Sequence, residues 1–151
     1  MKAKNFSLLD RSGAKRSLSE FKGSWVVVYF YPKDFTSGCT REACAFRDAA
    51  GPLKKLGAVV IGISKDSAES HAKFDDKHEL GFLLLSDPDC ATAKAWGAFG
   101  MKNMYGKKVE GVKRSTFLIG PGGEVAGEWI GVKVDGHVDA VVEALREAKK
   151  K

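Results

Sequence analysis

The chain has 151 residues, of which 44% are hydrophobic and 29% charged, a composition typical of one globular domain, which we place at residues 1–151. A domain of this length buries roughly 70% of its unfolded surface and needs no disulfide or metal to hold it together. The net charge of +6 comes from basic residues scattered among acidic ones without a recognition motif, which argues against nucleic-acid binding.

The first half of the chain predicts a β-hairpin, two buried strands and one long helix. In chain order these are strands at 6–9, 15–18 and 25–31, a helix at 40–56 and a strand at 58–63. Residues 25–31 are a continuous β-branched and aromatic run, typical of a central strand covered on both faces and too short to cross a membrane. Gly51 and Pro52 should break or kink the long helix.

The second half predicts alternating helices and strands that end in a hairpin and a helix. In chain order these are a helix ending near 79, a strand at 82–85, a short helix to 96, a strand at 114–119, a turn at 121–124, a strand at 125–130 and a helix at 137–149. Asp66 should cap the first of these helices, with Glu69 in the capping-box position. The alternation predicts an α/β fold with a mixed sheet and helices on both faces.

Two cysteines stand close together where the buried strand 25–31 gives way to the predicted helix. Cys39 lies in the opening turn of that helix, and Cys44 follows five residues later. A thiol reacts as the thiolate, which the N-terminus of a helix stabilises. Since the cysteines number three and no signal peptide precedes them, we expect free thiols in a reducing compartment, and therefore a cytoplasmic location.

The helix terminus alone is too weak to ionise Cys39 at neutral pH. Making thiolate the main form of an ordinary thiol takes about 2.7 kcal/mol, whereas a helix N-terminus contributes about 0.3–1 kcal/mol, or up to about 2 when partly buried. A hydrogen-bond donor and a cation are also needed. Thr36 offers the hydroxyl, and Arg114 and Arg41 are the candidate cations; Arg114 is preferred, partly on the family resemblance below.

The spacing of Cys39 and Cys44 has a mechanical consequence. Residues five apart in an α-helix have Cα atoms about 8.7 Å apart, whereas a disulfide requires about 4.4–6.8 Å. A bond between the two therefore predicts local unwinding of the helix, although either thiol could instead be a packing residue. We interpret Cys90, near another helix start, as a packing residue, with a second redox role as the alternative.

At these residues the chain resembles the peroxiredoxins, through the pattern Pro-x-x-x-Thr/Ser-x-x-Cys at Pro32, Thr36 and Cys39. Segments 31–44 and 104–119 are similar to the bacterioferritin comigratory protein branch, also called PrxQ. The resemblance covers nearly the whole chain and implies a thioredoxin-like fold, with a central mixed β-sheet flanked by helices and an N-terminal β-hairpin. Ser37 departs from the branch, which usually has proline there, and proline would restrict this loop further.

The resemblance implies a thiol-dependent peroxidase that reduces hydrogen peroxide and organic hydroperoxides. Cys39 would become a sulfenic acid, and Cys44 would resolve it to a disulfide that thioredoxin reduces. Thr36 and Arg114 would hydrogen-bond the thiolate and the peroxide, while Pro32 would shield the thiolate. The resemblance implies no metal or organic cofactor, and a monomer.

Other interpretations remain open at this stage. A disulfide oxidoreductase of the same fold would normally carry Cys-x-x-Cys, which this chain lacks. A peroxide sensor or holdase would use the same cysteine chemistry without turnover. His71, His78 and His137 are expected at the surface, since no metal-ligand spacing surrounds them. Trp96 and Phe99 are expected to pack in the core, with a wall of the substrate site as the alternative.

Overall fold

The structure, a computed structural model, describes residues 2–150 apart from the side chain of Met104, so the two terminal residues of the expected domain lie outside the described part. The described strands are β1 Ser7–Leu9, β2 Lys15–Ser17, β3 Trp25–Phe30, β4 Ala58–Ser64, β5 Leu83–Ser86, β6 Phe99–Met104, β7 Lys107–Val112, β8 Ser115–Ile119 and β9 Val125–Ile130. The described helices are α1 Ser37–Asp48, α2 Ala50–Lys55, α3 Ala68–His78, α4 Ala91–Ala95 and α5 His137–Lys149. None of these helices is both long enough and apolar enough to span a bilayer.

Seven strands form one mixed sheet in the order β2-β1-β5-β4-β3-β8-β9. The three central strands β3, β4 and β5 run parallel, and the outer strands pair antiparallel. The first two strands make the expected N-terminal hairpin, which joins the sheet through β5. The predicted mixed sheet with flanking helices is therefore confirmed.

Strand β3 lies at the centre of the core, as its composition predicts. Residues 26–30 are at most 2% exposed. Successive side chains point to opposite faces, so Val27 and Tyr29 pack with α1, α2, α3 and α5, while Val28 and Phe30 pack with α4 and the N-terminal segment. Because β3 is a central strand, the loop that follows it and the start of α1 lie near the middle of the sheet, where the central strands end.

The predicted helix 40–56 is two helices. The first begins at Ser37, earlier than predicted, and ends at Asp48; the second begins at Ala50. Pro52 lies in the first turn of the second helix, where its missing N–H would have no intrahelical partner anyway. The predicted break near Gly51 and Pro52 is confirmed, because a new helix starts there, and Cys39 lies inside the first helix.

The cap predicted for α3 is wrong by one residue. Ser67, not Asp66, is the N-cap, and its hydroxyl accepts from the backbone N–H of Ser70 at 3.1 Å. Asp66 instead accepts from the backbone N–H of Asp34 at 2.8 Å and from the hydroxyl of Ser64 at 2.6 Å. Both neighbours are good capping residues, and a contact distant in sequence decided between them.

A two-stranded hairpin of β6 and β7 was not predicted. Its turn needs positive φ at two residues, and Tyr105 and Gly106 adopt φ of 53° and 80°. Apart from two valines in β7, the strands carry lysines, two glycines and other residues that are not β-branched, which weakened the sequence signal. Gly100 pairs with Gly111, and a Cβ on Gly111 would lie 3.3 Å from Cε of Lys102, so the lysine stem crosses the hairpin there.

Candidate active site

Cys39 is a free thiol in the first turn of α1 and is only 1% exposed. Thr36 is the N-cap of this helix by its backbone, but its hydroxyl donates to the carbonyl of Lys33 at 2.9 Å and not to the helix or to Cys39. Pro32 is half-buried at the start of the same loop. The hydrogen bond expected from Thr36 to the thiol is therefore not formed in this state.

Arg114 reaches Cys39 from the neighbouring strand. Its Nη2 donates to Sγ of Cys39 at 3.4 Å and its Nη1 donates to Oε1 of Glu42 at 2.7 Å. Gly38 permits this approach, since a Cβ there would lie 3.1 Å from the same Nη2. Arg41, the alternative cation, instead pairs with Asp135 on the exposed surface. The structure thus places Arg114, not Arg41, beside the thiol.

The register of the sheet explains this meeting across 75 positions of sequence. Strand β8 runs antiparallel to β3, with Ser115 opposite Phe30. The start of β8 therefore lies beside the end of β3, where the chain turns into the loop that leads to Cys39. An arginine immediately before β8 is consequently close to the first turn of α1.

Glu42 completes the site and was missed as a functional residue. Cys39, Glu42, Ala43 and Phe46 form the buried face of α1, and the residue Glu42 is 0% exposed. Burial raises the pKa of Glu42 to about 7, although the Arg114 guanidinium acts in the opposite direction and lowers it. An acid three residues after a cysteine, on an otherwise apolar helix face, was the available signal.

The charges of the site act on one another. Burial acts to lower the pKa of Arg114, but the charges of Glu42 and Cys39 outweigh it and the pKa is raised. Lys102, on the unpredicted hairpin, donates to the carbonyl of Val112 at 2.7 Å. Burial lowers the pKa of Lys102, and the charge of Cys39 opposes that shift. The hairpin therefore adds a second cation within electrostatic range of the thiol.

The expectation that the histidines lie at the surface is wrong for two of them. His71 is 0% exposed, and His137 is 5% exposed with Nε2 at 2.7 Å from Oγ1 of Thr116. Burial lowers the pKa of His137, and the charge of Arg114 lowers it further, which favours a neutral ring. His78 is half-buried against Phe74, with ring centroids 5.3 Å apart. Each buried ring has a specific partner, which compensates the cost of burying it.

Cys44 is half-buried on the same unbroken helix as Cys39, and both are free thiols. A bond between them therefore requires part of α1 to unwind. Cys90 precedes α4 with a φ of 59°, and burial raises the pKa of its thiol. Cys90, Trp96 and Phe99 each pack, partly buried, against the core on the side of the sheet that carries Val28 and Phe30, as the packing interpretation predicts for all three. Over residues 2–150, no group of three or more His, Cys, Asp or Glu side chains could hold a metal ion.

The buried carboxyl of Glu42 predicts a specific pH dependence of stability. A folded-state pKa of about 7 lies above the ordinary value of 4.5, so the stability that Glu42 contributes is complete below about 4.5 and is lost as pH rises through about 7. Glu42→Gln cannot titrate. We expect its free energy of unfolding, relative to the parent, to rise by at most about 3 kcal/mol between pH 4 and pH 8.

Urea unfolding of both proteins under reducing conditions measures this difference. Glu69→Gln, on the exposed side of α3, is the matched control. A parent-to-variant difference for Glu42→Gln that is the same at both pH values would contradict the assignment of a raised pKa to this carboxyl.

Comparison with known proteins agrees with this fold. Residues 1–127 match the family model described as AhpC/TSA family. Peroxiredoxin Bcp of Bacillus subtilis is 45% identical over 150 residues, covering 99% of this chain and 96% of the relative. Peroxiredoxin Q of Xanthomonas campestris superposes with a TM-score of 0.88 at 44% identity, covering 94% of this chain and 90% of that one.

The bacterioferritin comigratory protein of Xanthomonas campestris superposes with a TM-score of 0.89 at 43% identity, over 95% of this chain and 91% of that one. The fold and the site together define a thiol-dependent peroxidase of thioredoxin-like fold. The chain belongs to the AhpC/TSA family of peroxiredoxins, with its similar relatives in the Bcp and PrxQ branch. The predicted family, fold and enzyme class are confirmed, and the chain acts on peroxides.

Proposed function

We propose that Cys39 is the peroxidatic cysteine, that Cys44 resolves its sulfenic acid, and that thioredoxin reduces the resulting disulfide. The observation that carries the proposal is the hydrogen bond from Arg114 to the Cys39 sulfur, in a site where Glu42 fixes the other arm of the guanidinium. A half-buried guanidinium beside the sulfur stabilises negative charge there and is already in place when negative charge develops on the peroxide.

The first step transfers one oxygen atom from the peroxide to the thiolate. The Cys39 sulfur attacks the terminal peroxide oxygen, an S–O bond forms, and the O–O bond breaks with its electron pair on the leaving oxygen. The leaving oxygen takes a proton and departs as water or an alcohol, and Cys39 becomes a sulfenic acid. Arg114 stabilises the charge on the two oxygens during this exchange.

Thr36 and Pro32 act on the same step. The Thr36 hydroxyl belongs to the loop at the mouth of α1 and needs only a rotation about its side-chain torsion to leave the Lys33 carbonyl. We propose that it turns toward the peroxide when substrate binds, and that it bonds the Lys33 carbonyl only while substrate is absent. Pro32 shields the thiolate from water at the start of that loop.

The second step joins Cys39 and Cys44. The Cys44 thiolate attacks the sulfenic sulfur, the S–O bond breaks as the disulfide forms, and the leaving hydroxide takes up a proton and departs as water. Because both residues belong to the wound helix α1, its first turns must open first. A dithiol then reduces the disulfide by exchange and the helix rewinds.

The substrates, reductant and setting complete the proposal. We infer activity toward both hydrogen peroxide and organic hydroperoxides; the Xanthomonas campestris protein has alkyl peroxide reduction activity, which supports the second class. We propose that residues 1–151 act as a single domain and a monomer in the cytoplasm, with thioredoxin as partner.

Replacing Cys44 by serine tests the resolving role. We expect Cys44→Ser to consume one equivalent of peroxide per protein and then stop, because the Cys39 sulfenic acid has no thiol to condense with. NADPH consumption in the presence of thioredoxin, thioredoxin reductase and peroxide measures turnover, with Cys90→Ser as the matched control at parent rate. Unchanged turnover in Cys44→Ser together with loss in Cys90→Ser would assign resolution to Cys90, and one burst in the parent would indicate another reductant or a sensor.

A further inference from the structure

A second cluster of buried polar residues lies beneath the loop that leads into α1. Tyr31, Asp34 and His71 are 1%, 3% and 0% exposed. The Tyr31 hydroxyl donates to Oδ1 of Asp34 at 2.5 Å, and Nδ1 of His71 lies 2.8 Å from Oδ2 of the same carboxylate. Ser70 also donates to Oδ2, at 2.9 Å. We call these three residues, Tyr31, Asp34 and His71, the Asp34 cluster.

The cluster is fully hydrogen-bonded, which makes it rigid. Nε2 of His71 lies 3.0 Å from the backbone carbonyl of Leu85, and that oxygen can only accept. Both ring nitrogens of His71 therefore have a hydrogen-bonding partner. A buried polar cluster with every partner in place holds one geometry, because any movement leaves a buried polar group unsatisfied.

The cluster connects three elements to the entrance of α1. Asp34 belongs to the loop, His71 to α3, and Leu85 to β5. The backbone N–H of Asp34 is also bound, by Asp66. Asp34 thus fixes the chain two residues before Thr36, where α1 begins its N-cap.

Beyond Asp34 the chain is held less firmly. Phe35 adopts a φ of 66°, unusual for a bulky residue, and its ring is 47% exposed against Phe74. The side chain of the N-cap residue of α1 accepts no hydrogen bond from the first-turn amides, so these amides lack a capping partner. The backbone is therefore firmly held at Asp34 but only weakly held from there to Thr36, immediately before the helical turn that must unwind.

We propose that the Asp34 cluster consists of positioning residues for the peroxidase reaction, which hold the entrance of α1 and thereby set how readily its first turn unwinds to let Cys44 reach Cys39. The cluster touches neither thiol, so it acts through the helix. This inference rests on the proposed roles of Cys39 and Cys44. Weakening the cluster raises the population of the unwound form, from which the disulfide forms, while the wound form that reacts with peroxide remains the major one.

The matched pair Tyr31→Phe and Tyr29→Phe tests this. The two rings stack 5.4 Å apart at the end of β3, but the Tyr29 hydroxyl has no hydrogen-bond partner among the described residues, so only Tyr31→Phe removes a bond to the carboxylate. A hydrogen bond to a charged group is worth enough to shift the unwinding equilibrium about tenfold. Asp34→Asn, which weakens every bond in the cluster, provides a second variant.

The readouts are the rate of Cys39 oxidation, the rate of disulfide formation, and hydrogen exchange in the reduced protein. Rapid quenching followed by mass spectrometry separates the first two, with hydrogen peroxide as oxidant. We expect Tyr31→Phe to form the disulfide about tenfold faster and to keep its oxidation rate within about threefold. We expect the amide of Thr40, which donates to the carbonyl of Thr36 and closes the first turn of α1, to exchange about tenfold faster. Tyr29→Phe should match the parent in all three.

The outcomes separate this inference from the proposed function. Disulfide formation and amide exchange that are unchanged in both Tyr31→Phe and Asp34→Asn, or a loss of both chemical steps together, would overturn the positioning role. A parent that forms no sulfenic acid at Cys39, or no bond to Cys44, would overturn the proposed function instead. Even in that case, faster amide exchange in Tyr31→Phe than in the parent would support the inference that the Asp34 cluster stabilises the start of α1.

Discussion

Replacing Cys39 by serine is expected to abolish peroxide reduction, with a loss of at least about a thousandfold toward the uncatalysed rate. Serine is close to cysteine in size, and its oxygen can accept from Arg114, so the buried site keeps its shape. The hydroxyl, however, does not ionise near neutral pH and does not take up an oxygen atom from peroxide. The change therefore removes the chemistry and leaves the packing.

Peroxide consumption by reduced protein, followed in single turnover and with a recycling reductant, measures this effect. Cys90→Ser is the matched control, since it makes the same atomic change at a half-buried thiol on another helix. Full activity without Cys39 would remove this residue from the reaction and, with it, the proposed roles of Arg114 and Cys44.

Arg114→Ala is expected to lower the second-order rate constant for peroxide roughly 30- to 800-fold. This corresponds to an increase of about 2–4 kcal/mol in the activation free energy, as loss of a preorganised hydrogen-bond donor causes elsewhere. Alanine removes the only side chain observed to donate to Cys39 among the described residues. It also leaves the Glu42 carboxyl without its partner, and a carboxyl in that position becomes neutral rather than charged. The variant should therefore fold, with a slower reaction.

The rate constant is measured by stopped-flow competition for hydrogen peroxide, with thermal unfolding as a check on folding. Arg41→Ala is the matched control, because Arg41 lies on the same helix as Cys39 but pairs with Asp135 in solvent. A rate within a factor of two of the parent for Arg114→Ala would exclude Arg114 from the transition state, and an equal loss in Arg41→Ala would point to general electrostatic attraction.

Local sequence determined most of the elements that build the site. The apolar run of β3, the spacing of Pro32, Thr36 and Cys39, and the amphipathic pattern of α5 each depend on neighbours within a few residues. The predicted bounds of α5, residues 137–149, agree with the observed helix. Patterns of this kind reflect backbone preferences and the period of side-chain burial, which act before tertiary contacts form.

Two elements were missed or misassigned because their signals were weak or ambiguous. The β6–β7 hairpin has several lysines and glycines at positions where strand-forming residues are expected. Its composition therefore gives a weak signal, and the pairing of the two strands is seen only in the structure. The cap of α3 was assigned to Asp66 because it stands beside Ser67 and both suit the position. The choice followed from Asp34, 32 residues earlier, whose backbone N–H binds the Asp66 carboxylate.

By itself, the sequence determined that a reactive cysteine stands at the start of a helix beside a central strand, and which family of proteins shares that arrangement. Tertiary structure alone decided which charges surround the thiol. Arg114 meets Cys39 because β8 pairs with β3 in one register, and Glu42 and His71 are buried by elements distant in sequence. Charge and hydrogen-bonding partners depend on distance and burial, and a one-dimensional pattern of residue types specifies neither.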